Sequence, residues 1–242
     1  MRIWLLVLVL ALACSAHADG LTTRDGRPIR NVAVISRIGD YVVLFHAAMS
    51  VPIGTFRAEP RYLTLPDFGI DARVEKLLAA SLTPALNIVP LKPGVADNDV
   101  ASWDMSTVKG KISRFPPDDE IDAYIVVCND DSLDEAGSTM LTIRGLGLYH
   151  RFRLFGYITA AFAVYRVMLV DARTGETIRD RESGMETGFL EPSLPWKKLD
   201  KSRWPGDETM LSPEQQILLR EDLYGLVDES LVWTLKRMKL AR

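Results

Sequence analysis

The sequence predicts an α/β (α+β) domain: one mixed, largely antiparallel sheet with helices packed on it, the last a C-terminal amphipathic helix. Three stretches carry that expectation. Residues 163–183 (AVYRVMLVDARTGETIRDRES) read as a strand, a tight turn and a returning strand. Tyr165, Val167 and Leu169 alternate with Arg166, as a half-buried strand requires. Asp171 opens the turn with a carboxylate suited to a backbone N–H, and Gly175 supplies the positive φ of a short loop. Residues 123–128 (AYIVVC) show no polar alternation, the pattern of a strand covered on both faces. Ser212-Pro213-Glu214-Gln215 combines an N-cap serine, a proline at the first helical position and a capping-box glutamine. Leu219, Leu223, Leu226, Val227, Leu231, Leu235 and Met238 then form one apolar stripe, predicting a helix over 212–239.

The chain opens with Arg2 and an unbroken apolar run from Ile3 to Ala13, too short for the roughly 20 residues a membrane-spanning helix needs. Ala16 and Ala18 form the A-x-A pattern of a signal peptidase site. Residues 1–18 are therefore expected to be a secretory signal peptide cleaved after Ala18, leaving Asp19 as the mature N-terminus. Ala11-Leu12-Ala13-Cys14 offers a second route, lipid attachment at Cys14, although its first two positions are inverted relative to a lipoprotein box. The first route predicts a periplasmic protein, the second an outer-membrane lipoprotein; the membrane enters as a partner only through Cys14.

Residues 19–30 are polar, with Gly20, Gly26 and Pro28, and are expected to be a flexible lead-in. Residues 31–242 read as a single domain. Asn31–Ser36 and Tyr41–Ala47, both apolar and β-branched, predict a hairpin, and Arg61–Leu65 a third strand. A helix is expected from an Asp71 N-cap, with Val74, Leu77, Leu78 and Leu82 on one face and Pro84 stopping it. Asn87–Leu91 predicts a strand, Asp99–Ser113 a helix, and Met140–Phe155 a strand in which Gly145 and Gly147 mark a bulge or a close backbone approach. Residues 184–211 have no clear period and read as a long loop.

This order of elements resembles the α/β domain of the CsgG-like and LpoB-like envelope lipoproteins and of the N-terminal domain of TolB. There a strand pair ending in Asp-x-x-Thr-Gly-Glu, here Asp171, Thr174, Gly175 and Glu176, precedes the final helix. Ile53-Gly54-Thr55-Phe56 and the stretch from Pro66 to Asp71 also resemble segments of exported proteobacterial proteins. The resemblance implies the fold and an envelope location. The extra N-terminal hairpin and the long 184–211 loop depart from the pattern, and a turn motif does not transfer a role.

Lys and Arg number 29 against 32 Asp and Glu, a net charge of −3 that argues against a nucleic-acid partner. Once the leader is removed Cys128 is the one cysteine, so an internal disulfide is excluded and a packed core must stabilise the chain. Cys128 ends an apolar strand without a basic neighbour in sequence, the setting of an inert buried thiol. His46 and His150 lack a second His or Cys at metal-ligand spacing and read as hydrogen-bonded or surface histidines. The acidic run Asp130, Asp131, Asp134, Glu135 does not fit a calcium loop. No nucleophile elbow, zinc-protease motif or phosphate loop occurs. No cofactor is expected. Trp196 and Trp204, flanked by Pro195, Lys197, Lys198 and Pro205, read either as anchors for a partner protein or as a lid folded onto the core. The function expected is that of an exported, non-catalytic accessory protein binding another envelope protein. The alternative is a hydrolase-like envelope enzyme using Asp130 and Asp131.

Overall fold

The computed structural model describes residues 21–50, 55–65, 67–82, 84, 86–92, 103–133, 142–153, 156–186, 194–206 and 211–241. The expected signal peptide, residues 1–18 with Cys14 and Ala18, lies outside them, as do Asp19 and Asp134. Ten strands form one mixed sheet: β1 (Asn31–Arg37), β2 (Tyr41–Ser50), β3 (Thr55–Thr64), β4 (Asn87–Ile88), β5 (Ala123–Asn129), β6 (Asp131–Leu133), β7 (Thr142–Arg153), β8 (Gly156–Asp171), β9 (Thr177–Glu182) and β10 (Trp196–Leu199). The helices are α1 (Ile70–Ser81), α2 (Met105–Ile112) and α3 (Pro213–Arg237).

The sixteen-residue β8 is the spine. One of its edges pairs antiparallel with β5 and then with β7, which run end to end in the same direction. Beyond them β1 pairs parallel with β5, and β2 with β7. The other edge of β8 takes β9 and then β10. Ser183 joins these two, its hydroxyl accepting from Tyr165 N–H (3.1 Å) and donating to the Ala163 carbonyl (2.8 Å).

The hairpin expected from 31–36 and 41–47 is therefore not formed. β1 passes into β2 without reversing, and the hairpin is β2 with β3, ten residues long. What holds the join is a side chain the sequence placed elsewhere. Asp71, expected as a helix N-cap, lies inside the first turn of α1, whose N-cap is Gly69 at φ 57°. Its carboxylate accepts from Ser36 Oγ (2.6 Å), Ile38 N–H (2.8 Å) and Gly39 N–H (3.1 Å). From the far side Asn129 Nδ2 donates to the Ile38 carbonyl (2.7 Å) and to the Tyr41 hydroxyl (3.0 Å). A kink whose N–H groups find such acceptors can run straight on.

Strand alternation then sorts the core. α1 and α3 cover one face, burying Val32, Val42, Leu44, Leu146, Leu148, Tyr165, Val167 and Leu169. Each such aliphatic side chain contributes about 1.5–3 kcal/mol on full burial. The α3 stripe is the expected one, from Leu219 to Leu235, and the Tyr165 hydroxyl meets Ser230 Oγ at 2.6 Å. On the opposite face α2 packs on Ala33, Ile35, Tyr124, Val126, Cys128 and Met168. β5 is buried along its whole length, as its unbroken apolar run requires. Gly147 sits where β7 meets β2 so closely that a Cβ would fall 1.8 Å from the Val43 carbonyl oxygen.

Other expectations are refined. The turn after β8 is as predicted: Asp171 accepts from Arg173 and Thr174 N–H, and Gly175 has φ 67°. α2 is shorter than 99–113 and capped by Asp104 in a box with Thr107. β4 is two residues rather than five. Residues 21–30, expected as a loose lead-in, are packed: Leu21 and Ile29 are buried, and Arg27 pairs with Asp171 at 2.9 Å. The 184–211 loop contains β10 and a short 3-10 turn at Lys201–Arg203. Its backbone complements the free edge of β8, a gain no side-chain period announces.

Candidate functional site

Registry builds a histidine-aromatic cluster at the end of the sheet away from α1. His46 of β2 stands opposite His150 of β7, and His150 opposite Thr159 of β8. His150 Nδ1 lies 2.9 Å from Thr159 Oγ1. The 3-10 turn, capped by Asp200 through Ser202 N–H (2.9 Å), delivers Trp204 over this row. The imidazole of His150 is thus sandwiched. Tyr157 stacks on one side, 4.7 Å between centroids and 2° between planes, and Trp204 on the other at 4.9 Å and 12°. His46 contacts all three rings, at 5.6 Å to His150, 6.0 Å to Tyr157 and 5.8 Å to Trp204. Arg61 of β3 adds a cation 5.9 Å from the Trp204 ring and anchors the segment by donating to the Gly206 carbonyl.

Burial sets the electrostatics. Desolvation, with help from His46 and Lys201, lowers the His150 pKa to about 4, so its ring is neutral at neutral pH. His46 Nε2 is buried and has no hydrogen-bond partner. Such an atom costs free energy unless something supplies a partner. Among the described residues no group of three His, Cys, Asp or Glu side chains is placed to hold a metal ion. What the cluster offers instead is a stacked, half-buried aromatic surface whose outer leaf, Tyr157, is 38% exposed.

The two tryptophans singled out by the sequence are separated. Trp196 stands opposite Phe162, so it lies on the face of Phe45, Tyr149 and Phe162. Trp204 packs on the α3 face. They do not form one anchor. Trp204 lies over the histidine row. His46 and His150 have no His or Cys at ligand spacing in the sequence, being 104 positions apart, and the parallel β2–β7 register unites them.

The acidic pair is also divided. Asp130 accepts from Arg166 Nε at 2.7 Å, and Arg166 also holds Asp180. Asp131 lies 3.6 Å from Arg144, which reaches Asp104 at 3.3 Å. Each carboxylate therefore answers to its own guanidinium. Cys128 is fully buried, and burial first, then Asp130, pushes its thiol up to about 12, leaving it protonated and unreactive.

No protein-family model matches the chain, and no curated protein sequence matches it. No helix among the described residues is long and apolar enough to cross a membrane.

Proposed function

We propose that the protein is an exported, non-catalytic accessory protein of the cell envelope that binds another envelope protein through the Tyr157–His150–Trp204 end of its sheet. One observation carries the reading: a tyrosine, a tryptophan and an arginine, the residue types that most often dominate binding energy, converge on one preorganised, half-exposed stack. Stacking fixes their rotamers before association, which lowers the entropy cost of ordering them. The leader supports export, and the resemblance to CsgG-like and LpoB-like lipoproteins and to the TolB N-terminal domain supports an envelope setting. Acylation at Cys14 would tether the site at the outer membrane; cleavage after Ala18 would leave it soluble in the periplasm.

The test is affinity purification of the full chain from detergent-solubilised envelopes, comparing wild type with Tyr157→Ser and Arg61→Gln. Both variants, each first shown to be folded by its thermal melt, should lose the co-purifying envelope protein. Equal recovery with all three chains would refute the binding surface.

A further inference from the structure

At the opposite end of the sheet, β9 and the C-terminus of α3 bring together four cations. Arg179 and Arg181 share one face of β9 because they are two residues apart, opposite Leu169 and Val167, which face α3. With Asp180, Arg237, Met238 and Lys239 they line an open cleft of about 440 Å³. Asp180, between the two strand arginines, points to the other face of the sheet, where it is held by Arg166. Asp180 remains part of the cleft wall, with its carboxylate engaged by Arg166.

Two of the cations are positioned rather than merely present. Trp233 is seated against Gly184 so tightly that a Cβ there would lie 2.4 Å from the indole. Arg181 and Arg237, 56 positions apart in the chain, both lie against this ring, at 5.3 and 5.0 Å from its centroid. Cation–π attraction holds each guanidinium beside the indole, and a guanidinium carries five N–H donors that can meet an anion. Arg179 caps the end of α3 by donating to the Met238 carbonyl (3.1 Å), so one of the carbonyls that would repel an anion is already satisfied. The chain as a whole is slightly acidic, at −3, so this concentration of positive charge does not follow from general basicity.

We infer that the Arg179–Arg181–Arg237–Lys239 cleft binds a phosphate group, with Arg181 and Arg237 as the clamp. Planar guanidinium forks match phosphate oxygens in pairs, which a lysine patch alone does not. The group belongs either to a phospholipid headgroup or to a soluble phosphate compound.

Two probes separate these sources in the full mature chain: phosphatidylcholine vesicles with and without phosphatidylglycerol, by co-sedimentation, and pyrophosphate, by calorimetry. Arg181→Gln with Arg237→Gln, checked for an unchanged far-UV spectrum and thermal midpoint, should weaken binding by more than about tenfold. Lys239→Gln lies past the helix and provides a second variant that leaves the Trp233 stack intact; it should weaken binding less. Binding should also fall steeply with added salt. Vesicle binding that depends on phosphatidylglycerol and on the two arginines assigns the phosphate to a lipid. Arginine-dependent pyrophosphate binding without vesicle binding assigns it to a soluble compound. Binding of neither probe, or binding that survives all three substitutions, overturns the inference.

Discussion

The indole of Trp204 lies flat on the imidazole of His150, with centroids 4.9 Å apart and planes 12° from parallel. This contact seats the end of the 194–206 segment over the sheet and gives His150 its character. A ring between Tyr157 and Trp204 is kept from water, and its protonation is pushed down to about 4. The same enclosure that makes the cluster rigid makes it sensitive to acid.

A histidine whose folded pKa lies below its unfolded value of about 6.5 binds fewer protons folded than unfolded. Stability is then unaffected above about 6.5 and declines as pH falls toward 4. Glu75, whose carboxyl is raised by burial, opposes this near the lower end of that window. Urea midpoints at neutral pH and at the middle of the window, for wild type and His150→Gln, isolate the histidine. The wild type should lose more stability than the variant on acidification. Equal losses would mean that His150 titrates normally.

Asp71 joins α1 to the β1–β2 kink through three accepted hydrogen bonds. Asp71→Ala leaves two backbone N–H groups without their acceptor and should cost about 2–3 kcal/mol in urea unfolding. A loss as small as that of an exposed cap residue would show that the kink is held by Asn129 alone.

Two glycines provide opposite expectations. Gly147→Ala forces a Cβ into the Val43 carbonyl and should cost more than about 3 kcal/mol or abolish folding. Gly225 lies exposed within α3 with open space around its Cα, and Gly225→Ala should stabilise by about 0.5–1 kcal/mol. Paired thermal melts decide both. A tolerated Gly147→Ala would contradict the close approach of β2 and β7.

How far these features were legible depends on the range over which each is determined. The β8–β9 turn and the α3 cap are local, written in Asp171, Gly175, Ser212 and Gln215, and sequence order suffices to read them. The joining of β1 to β2 is not local. Two apolar runs separated by Gly39 have the grammar of a hairpin, and only the distant acceptor Asp71 and the partners β5 and β7 tell them to continue. Gly147 was readable as a close approach, though not its partner. The histidine stack was invisible because strand pairing, not spacing, places His46 beside His150. Likewise, Trp196 and Trp204 look like one feature in sequence, yet β10 and the following turn send them to opposite faces.

Export predicts a definite chemical end to the mature chain. Mass spectrometry of the envelope-fraction protein should give Asp19 as the first residue, or an acylated Cys14 for the lipoprotein route. A chain that retains Met1 in the cytoplasm would contradict export.

The central claim is that the protein works by binding through the Tyr157 stack rather than by turnover. The most direct measurement is envelope co-purification with wild type, Tyr157→Ser and the double substitution Asp130→Asn/Asp131→Asn, each first shown to be folded. The account predicts that the partner is retained by wild type and by the aspartate variant and lost from Tyr157→Ser. Retention by Tyr157→Ser, or a measurable turnover that disappears in the aspartate variant, would contradict it.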